Sequence, residues 1–305
     1  MSYEVLKGGR ITWTNVVDPT PDDMKRLGEA YPQFHPLDLE DCLSQIERPK
    51  IDEYDDYLFA VIHFPLWDSE HRISRPGELD IFVGSGYLVT VHGGQLMPLV
   101  NLFEQCKDDP EARAQYMEGG AGALMHTVID RLVDYIFPIL YKVDANIRAI
   151  EDDIFSENTL QVMHDISFAR RDVIALRRII RPQIAILENL EEVDRPYIHE
   201  ELDVYFGDVL DHMVRARDIL DDSAEVIVGL ADTADTLASH HINEVMRILT
   251  VISVIMLPLS VISSILGMNV PYPLQSHPAT FFGVLGIMLL ISLVMLAIFR
   301  ARHWL

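Results

Sequence analysis

Residues Ile248 to Asn269 read ILTVISVIMLPLSVISSILGMN, and the first 19 of them, Ile248 to Leu266, carry no charge. At about 1.5 Å of rise per residue, a helix of that length reaches across a hydrocarbon core of roughly 30 Å. The stretch reads as a membrane span. A second uncharged run of 19 residues, Phe281 to Phe299, follows after a short gap. The chain is therefore expected to cross the membrane, turn within about a dozen residues (about 267–280), and cross back. The turn opens with Gly267-Met268-Asn269.

Two spans cannot enclose a water-filled path by themselves. The first is nonetheless polar for a simple anchor, with Thr250, Ser253, Ser260, Ser263 and Ser264 along it. Small and hydroxylated residues favour close helix packing or a wetted face. Pro258 removes one backbone hydrogen bond and crowds the carbonyl of Val254, which hydroxyls or water must re-satisfy. Both a hairpin anchor and a pore-lining helix of an oligomer fit these features.

The charge is unevenly distributed. The chain holds 47 acidic and 24 basic residues, and every Asp and Glu precedes Val245. Beyond that point only Arg247, Arg300 and Arg302 are charged, so the first 244 residues carry 21 basic against 47 acidic groups, a formal charge of −26. One soluble acidic body with a membrane hairpin behind it is expected. Its charge argues against nucleic acid as a partner and against docking on anionic lipid headgroups. No apolar run resembling a signal peptide precedes the body. Arg247 flanks the first span and Arg300 and Arg302 the second, while the loop between them has no Lys or Arg. By the positive-inside rule this makes a multi-pass protein of the cell (inner) membrane with both termini cytoplasmic. Cys42 and Cys106 then lie in a reducing compartment and read as packing residues.

Residues 1–120 mix short β-like and helical patterns, as a cytoplasmic α/β domain. Arg10 to Val16 has strand formers, Pro21-Asp22-Asp23 opens a helix, and Tyr57 to Leu66 is a largely apolar strand-like run. Leu79 to Val83 and Tyr87 to Val91 flank Gly84-Ser85-Gly86, a three-residue connection suited to a hairpin. From Leu124 the apolar period becomes helical as far as Ile154, with Pro138 as a bend. Glu157-Asn158-Thr159 reads as a turn and cap before a second helical segment, Leu160 to Leu190, so the two should form a long antiparallel hairpin. A third segment has no proline between Pro196 and Pro258 and keeps helical spacing from Tyr205 through Leu249 into the membrane. Unbroken to Leu266 it would be roughly 100 Å long. Residues 121–246 thus form a helical stalk and 247–305 the transmembrane hairpin. A helix this long cannot be buried along its whole length by one chain, whereas side-by-side copies would cover it.

Gly267-Met268-Asn269 directly after the first of two C-terminal spans resembles the signature of the CorA family of magnesium channels. Further matches surround it. Asn243-Glu244-Val245-Met246 followed by Leu249-Thr250 is similar to the family's helix at the membrane boundary, and Leu257-Pro258-Leu259 to its proline step. The basic tail ending Trp304-Leu305 is similar to its C-terminus. Tyr205-Phe206-Gly207-Asp208-Val209-Leu210-Asp211-His212 and His35-Pro36-Leu37-Asp38-Leu39-Glu40-Asp41 also resemble family segments. The resemblance covers nearly the whole chain and implies a funnel-shaped homopentamer of the α+β/α class that conducts divalent cations.

The resemblance also implies roles for particular residues. Gly267, Met268 and Asn269 match the selectivity motif. Magnesium binds its water tightly, so a ring of neutral amide oxygens from Asn269 suits passage of the hydrated ion better than carboxylates would. Asp232, Asn243, Met246, Leu249 and Leu257 match pore-lining positions, with Met246 and Leu249 able to form an apolar constriction. Asp41 and Asp208, with Glu40 beside them, match a regulatory Mg2+ site between subunits. The chain departs from the family pattern in a loop after Asn269 without acidic residues, in Leu266 where Tyr is usual, and in Ser264 where Gly is usual.

The leading expectation is passive uptake of magnesium, with cobalt or nickel as further ions, gated by cytoplasmic magnesium. The alternatives are a zinc transporter of the same superfamily, whose motif has Ile where Met268 stands, and a non-conducting membrane-tethered binding or signalling protein. An enzyme is disfavoured, since no nucleophile-and-base signature is visible. The adjacent His240 and His241 point about 100° apart on a helix and make a poor joint metal site.

Overall fold

The computed structural model describes residues 2–44, 47–156, 159–192, 195, 197–198, 202–268, 278–302 and 304. In chain order the elements are β1 (Tyr3–Gly8), β2 (Ile11–Val17), α1 (Pro21–Ala30), α2 (Pro36–Asp41), β3 (Lys50–Glu53), β4 (Tyr57–Asp68), β5 (Ile73–Gly84), β6 (Tyr87–His92), α3 (Met97–Asp108), α4 (Pro110–Met117), α5 (Ala121–Asp134), α6 (Ile136–Asp153), α7 (Thr159–Glu192), α8 (Asp203–Leu266) and α9 (Pro278–Ala301). They fall into two compact units, Met1–Ala231 and Asp232–Leu305.

The first unit is built on a six-stranded sheet of order β1-β2-β6-β5-β4-β3, antiparallel throughout except for the parallel pair β2 and β6. Both faces are covered, which is why β4 is buried without interruption from Tyr57 to Pro65. On one face Tyr57, Phe59, Val61, Phe82 and Val89 pack with Met24 and Leu27 of α1 and with Phe34, whose ring stacks on Phe82 at 4.3 Å. On the other face lie α3, α5 and α7, and Trp13 meets Phe103 edge-on at 4.9 Å. Helix α1 starts with a capping box, Thr20 and Asp23 exchanging hydrogen bonds across the first turn.

A buried polar chain crosses the second face. Trp13 Nε1 donates to Thr90 Oγ1 at 3.0 Å, and Thr90 Oγ1 donates to Asn15 Oδ1 at 2.7 Å. His92 Nδ1 accepts from the Gly94 amide at 3.0 Å, so its proton sits on Nε2, which donates to Asn15 Oδ1 at 3.1 Å. Burial pushes the His92 pKa down to about 4, partly offset by the Asp18 charge.

Two sequence expectations are corrected. The β5–β6 connection has two residues, Ser85 and Gly86, because Gly84 still pairs with Tyr87, and Gly86 takes a left-handed φ of 85°, which glycine adopts without steric cost. The long helix expected from Leu124 to Ile154 is two helices, α5 and α6, separated at Tyr135. Pro138 has no N–H to give the Asp134 carbonyl, so the ladder fails one turn before the proline and not at it. Beyond α6, Glu157 and Asn158, expected as turn and cap, lie outside the described residues. Helix α7 runs through Pro182 and α8 through Gly229 and Pro258 without a break. Cys42 and Cys106 are both free and buried, and Cys42 Sγ donates to the Asp38 carbonyl.

The second unit holds the remainder of α8 and α9. Both helices are long and apolar enough to cross a membrane, and large apolar side chains such as Leu257, Leu289 and Phe282 are more than 60% exposed on the single chain. Three hydroxyls within the spans are satisfied inside their own helices: Thr250 donates to the Met246 carbonyl at 2.7 Å, Ser253 to Leu249 at 2.8 Å and Ser292 to Met288 at 2.9 Å.

Candidate metal centre and ion pathway

Helix α2 is short, and its position is fixed by a buried carboxylate. Asp38 accepts from the hydroxyls of Tyr57 at 2.7 Å and Tyr54 at 2.9 Å, and the Tyr57 oxygen in turn accepts from the His35 amide at 2.8 Å. Burial raises the Asp38 carboxyl pKa against the lowering effect of the two tyrosines. Burial and the Asp38 hydrogen bond push Tyr54 up to about 12. With α2 held this way, Glu40 is exposed and Asp41 half-buried at its C-terminal end. Asp41 is ion-paired with Lys50 at 2.7 Å, and the same ammonium reaches Asp52 at 2.7 Å. Burial opposes the charge on Lys50, but the two carboxylates outweigh it and raise its pKa.

Asp208 lies on an exposed position of α8. Among the described residues of one chain no contact joins it to Asp41. Its neighbourhood holds a cluster that sequence reasoning missed: Asp130 and Asp134 of α5 with His212 of α8, each offering a ligand atom within 4.8 Å of the others. His212 Nδ1 is buried without a hydrogen-bond partner, 3.9 Å from Asp134 Oδ1, and its ring meets Phe137 edge-on at 5.9 Å. Burial raises the Asp130 pKa, the Asp134 charge raises it further, His126 and His212 offset part of this, and Asp208 adds to it. Two carboxylates and an imidazole, one nitrogen orphaned, form a donor set suited to a divalent cation. A signal existed in the spacing, since Asp130-x3-Asp134 and Asp208-x3-His212 each place two metal-binding side chains on one helix face. The match of α5 to α8 was not legible.

On α8, a rotation of 100° per residue puts Asp232, Asn243, Met246, Leu249, Thr250, Ser253 and Leu257 within an arc of about 120°. Asp232 and Asn243 are exposed on the single chain, as are Met246 and Leu249 at 55% and Leu257 at 67%. The five expected pore positions therefore share one face of a helix that is exposed all round over residues 241–250. Helix α8 ends at Leu266. The Gly267 amide donates to the Ser263 carbonyl at 2.9 Å and the Met268 amide to Ile265 at 3.3 Å. Gly267 does not use the left-handed region. An added Cβ would lie 3.2 Å from the Ser263 carbonyl oxygen, the acceptor of the Gly267 amide one turn back. Met268 is 56% exposed. Asn269 and the loop residues 270–277 lie outside the described residues.

A sequence model of the family described as "CorA-like Mg2+ transporter protein" matches residues 8–301. YfjQ of Bacillus subtilis is 30% identical over 293 residues, covering 96% of this chain and 89% of that protein. The cobalt/magnesium transport protein CorA of Thermotoga maritima is 29% identical over 304 residues, with 96% and 83% covered. The complete structure of the CorA magnesium transporter from Methanocaldococcus jannaschii superposes with a TM-score of 0.85 at 22% identity, over 97% of this chain and 92% of that one.

Proposed function

Because the chain belongs to the CorA-like Mg2+ transporter family and is thus a membrane transporter of divalent cations, we propose that it is a passive magnesium channel formed by five copies of itself. The observation that carries this reading is that Asp232 and Asn243, polar, and Met246, Leu249 and Leu257, apolar, fall within one arc of about 120° on α8, a helix followed by Gly267-Met268-Asn269. Two spans per chain leave that face uncovered, and copies arranged around an axis would turn it into the wall of a pore. The membrane potential supplies about 4.6 kcal/mol per 100 mV for a divalent ion, twice the unit-charge value, so no nucleotide is required.

In this reading Asn269 holds the hydrated ion at the outer mouth, and Met246 and Leu249 form a constriction that closes by excluding water. Both termini face the cytoplasm across the inner membrane, with membrane lipid around α9. Glu40 and Asp41 of one copy face Asp208 of the next, and the Asp130, Asp134 and His212 cluster lies beside the same edge. Carboxylates gathered there repel until a hard cation bridges them, which links cytoplasmic magnesium to the packing of copies. Cobalt fits the imidazole of His212 as well as the carboxylates.

The test is ion flux into proteoliposomes at a set potential, with magnesium, cobalt and zinc compared, together with the native mass in mild detergent. Magnesium flux from a pentamer is expected. Zinc flux without magnesium flux, or a conducting monomer or dimer, would refute it.

A further inference from the structure

We propose that Lys50 is a built-in competitor at the Asp41 cation site: its ammonium occupies the carboxylate in the metal-free chain, must leave it for a divalent ion to bind, and so sets the magnesium concentration at which the site fills. This rests on the reading of Asp41 as a regulatory ligand.

Both partners sit on fixed elements. Asp41 closes α2, which Asp38 ties to Tyr54 and Tyr57. Lys50 opens β3 and is held in register opposite Val61 of β4, with its ammonium 5.4 Å from the centre of the Phe59 ring. From there Nζ reaches Asp41 Oδ2 and Asp52 Oδ2 at 2.7 Å each. An ammonium on Oδ2 places a positive charge beside the carboxylate, so a hydrated divalent ion approaching either oxygen is repelled unless the ammonium moves away.

Asp52 makes the exchange feasible. A lysine with one carboxylate would be stranded when a metal took that partner, and the loss would oppose binding strongly. Here the ammonium falls back on Asp52 and stays paired. The Asp41 and Lys50 side chains keep 22% and 34% of their exposure, and ion pairs that reach water are weak enough to open. The arrangement gives a site that is neutralised when magnesium is scarce, so an isolated chain does not carry a bare carboxylate at that edge, and that yields when magnesium is plentiful.

The experiment titrates magnesium against proteolysis of the full-length protein in detergent by proteinase K. Wild type is compared with Lys50→Met, Lys50→Arg, Asp41→Asn and the Asp41→Asn/Lys50→Met double variant. Lys50→Gln replaces the Met variant if the latter fails to assemble. Removing the ammonium should lower the magnesium midpoint about three-fold, the range of a partly exposed ion pair. Lys50→Arg should stay near wild type. In the Asp41→Asn background the Lys50 substitution should have no effect, because the two residues act on one another. If Asp41→Asn raises the midpoint but Lys50→Met leaves it unchanged or raises it, the competition is refuted and the Asp41 site stands. If Lys50→Met lowers the midpoint equally in the Asp41→Asn background, the effect is one of net charge and the proposal fails. If Asp41→Asn changes nothing, the site itself falls and the proposal with it.

Discussion

His212 Nδ1 on α8 faces Asp134 Oδ1 at the end of α5 across 3.9 Å, buried and with no hydrogen-bond partner. That gap is too wide for a hydrogen bond and is of the size that a bridging cation spans. A buried polar atom left unpaired costs about 1–3 kcal/mol. With Asp130 completing the set, the position is the most compact group of metal-binding side chains among the described residues.

Replacing His212 by Ala should therefore weaken cobalt binding more than magnesium binding, since imidazole favours transition metals over hard cations. We expect the cobalt midpoint for protection from proteolysis to rise about ten-fold and the magnesium midpoint by less. Equal shifts for the two ions would show that His212 acts through packing against Phe137.

The regulatory reading is tested at Asp41 and Asp208. Replacing both by Asn removes charge and binding together, so magnesium should inhibit the current less and protect less from proteolysis. The resting open probability is left out of the test, because the same substitutions relieve repulsion. Inhibition at the wild-type magnesium concentration would mean that the pair is not the sensor.

Selectivity is tested at Asn269. Asn269→Ala removes the amide and keeps the helix packing, so assembled protein should lose selective magnesium flux. A correctly assembled variant with wild-type flux would overturn the assignment.

Stability of the α/β unit should depend on pH through His92. Its folded pKa of about 4 lies below the ordinary value of 6.5, so the unfolded chain takes up a proton first as pH falls. The stabilisation is present above pH 6.5 and is lost as pH drops toward 4, by about 3 kcal/mol in all. The melting temperature of the full-length protein, followed by tryptophan fluorescence, should fall between pH 6.5 and 4.5. His92→Gln should flatten that slope whatever it does to the absolute stability. An unchanged slope would mean that other groups carry the pH dependence.

Several features of this protein are set by local composition. The two uncharged runs, the helical period of α7 and α8 and the apolar strand β4 are all readable from neighbours within a few residues, because membrane crossing and helix or strand burial depend on which residue types recur at short spacing. The shared face of Asp232, Asn243, Met246, Leu249 and Leu257 follows likewise from one helix's geometry. The break between α5 and α6 at Tyr135 follows from the missing N–H of Pro138 one turn later, whereas the two-residue turn at Ser85-Gly86 depended on the pairing of Gly84 with Tyr87, which single-residue preferences do not specify. Lys50 against Asp41, and Asp130 and Asp134 against His212, were decided only by tertiary structure. They join side chains from separate elements, 78 residues apart from Asp134 to His212. Which acid meets which base across such a distance depends on sheet register and helix packing, and on nothing within reach of either residue along the chain.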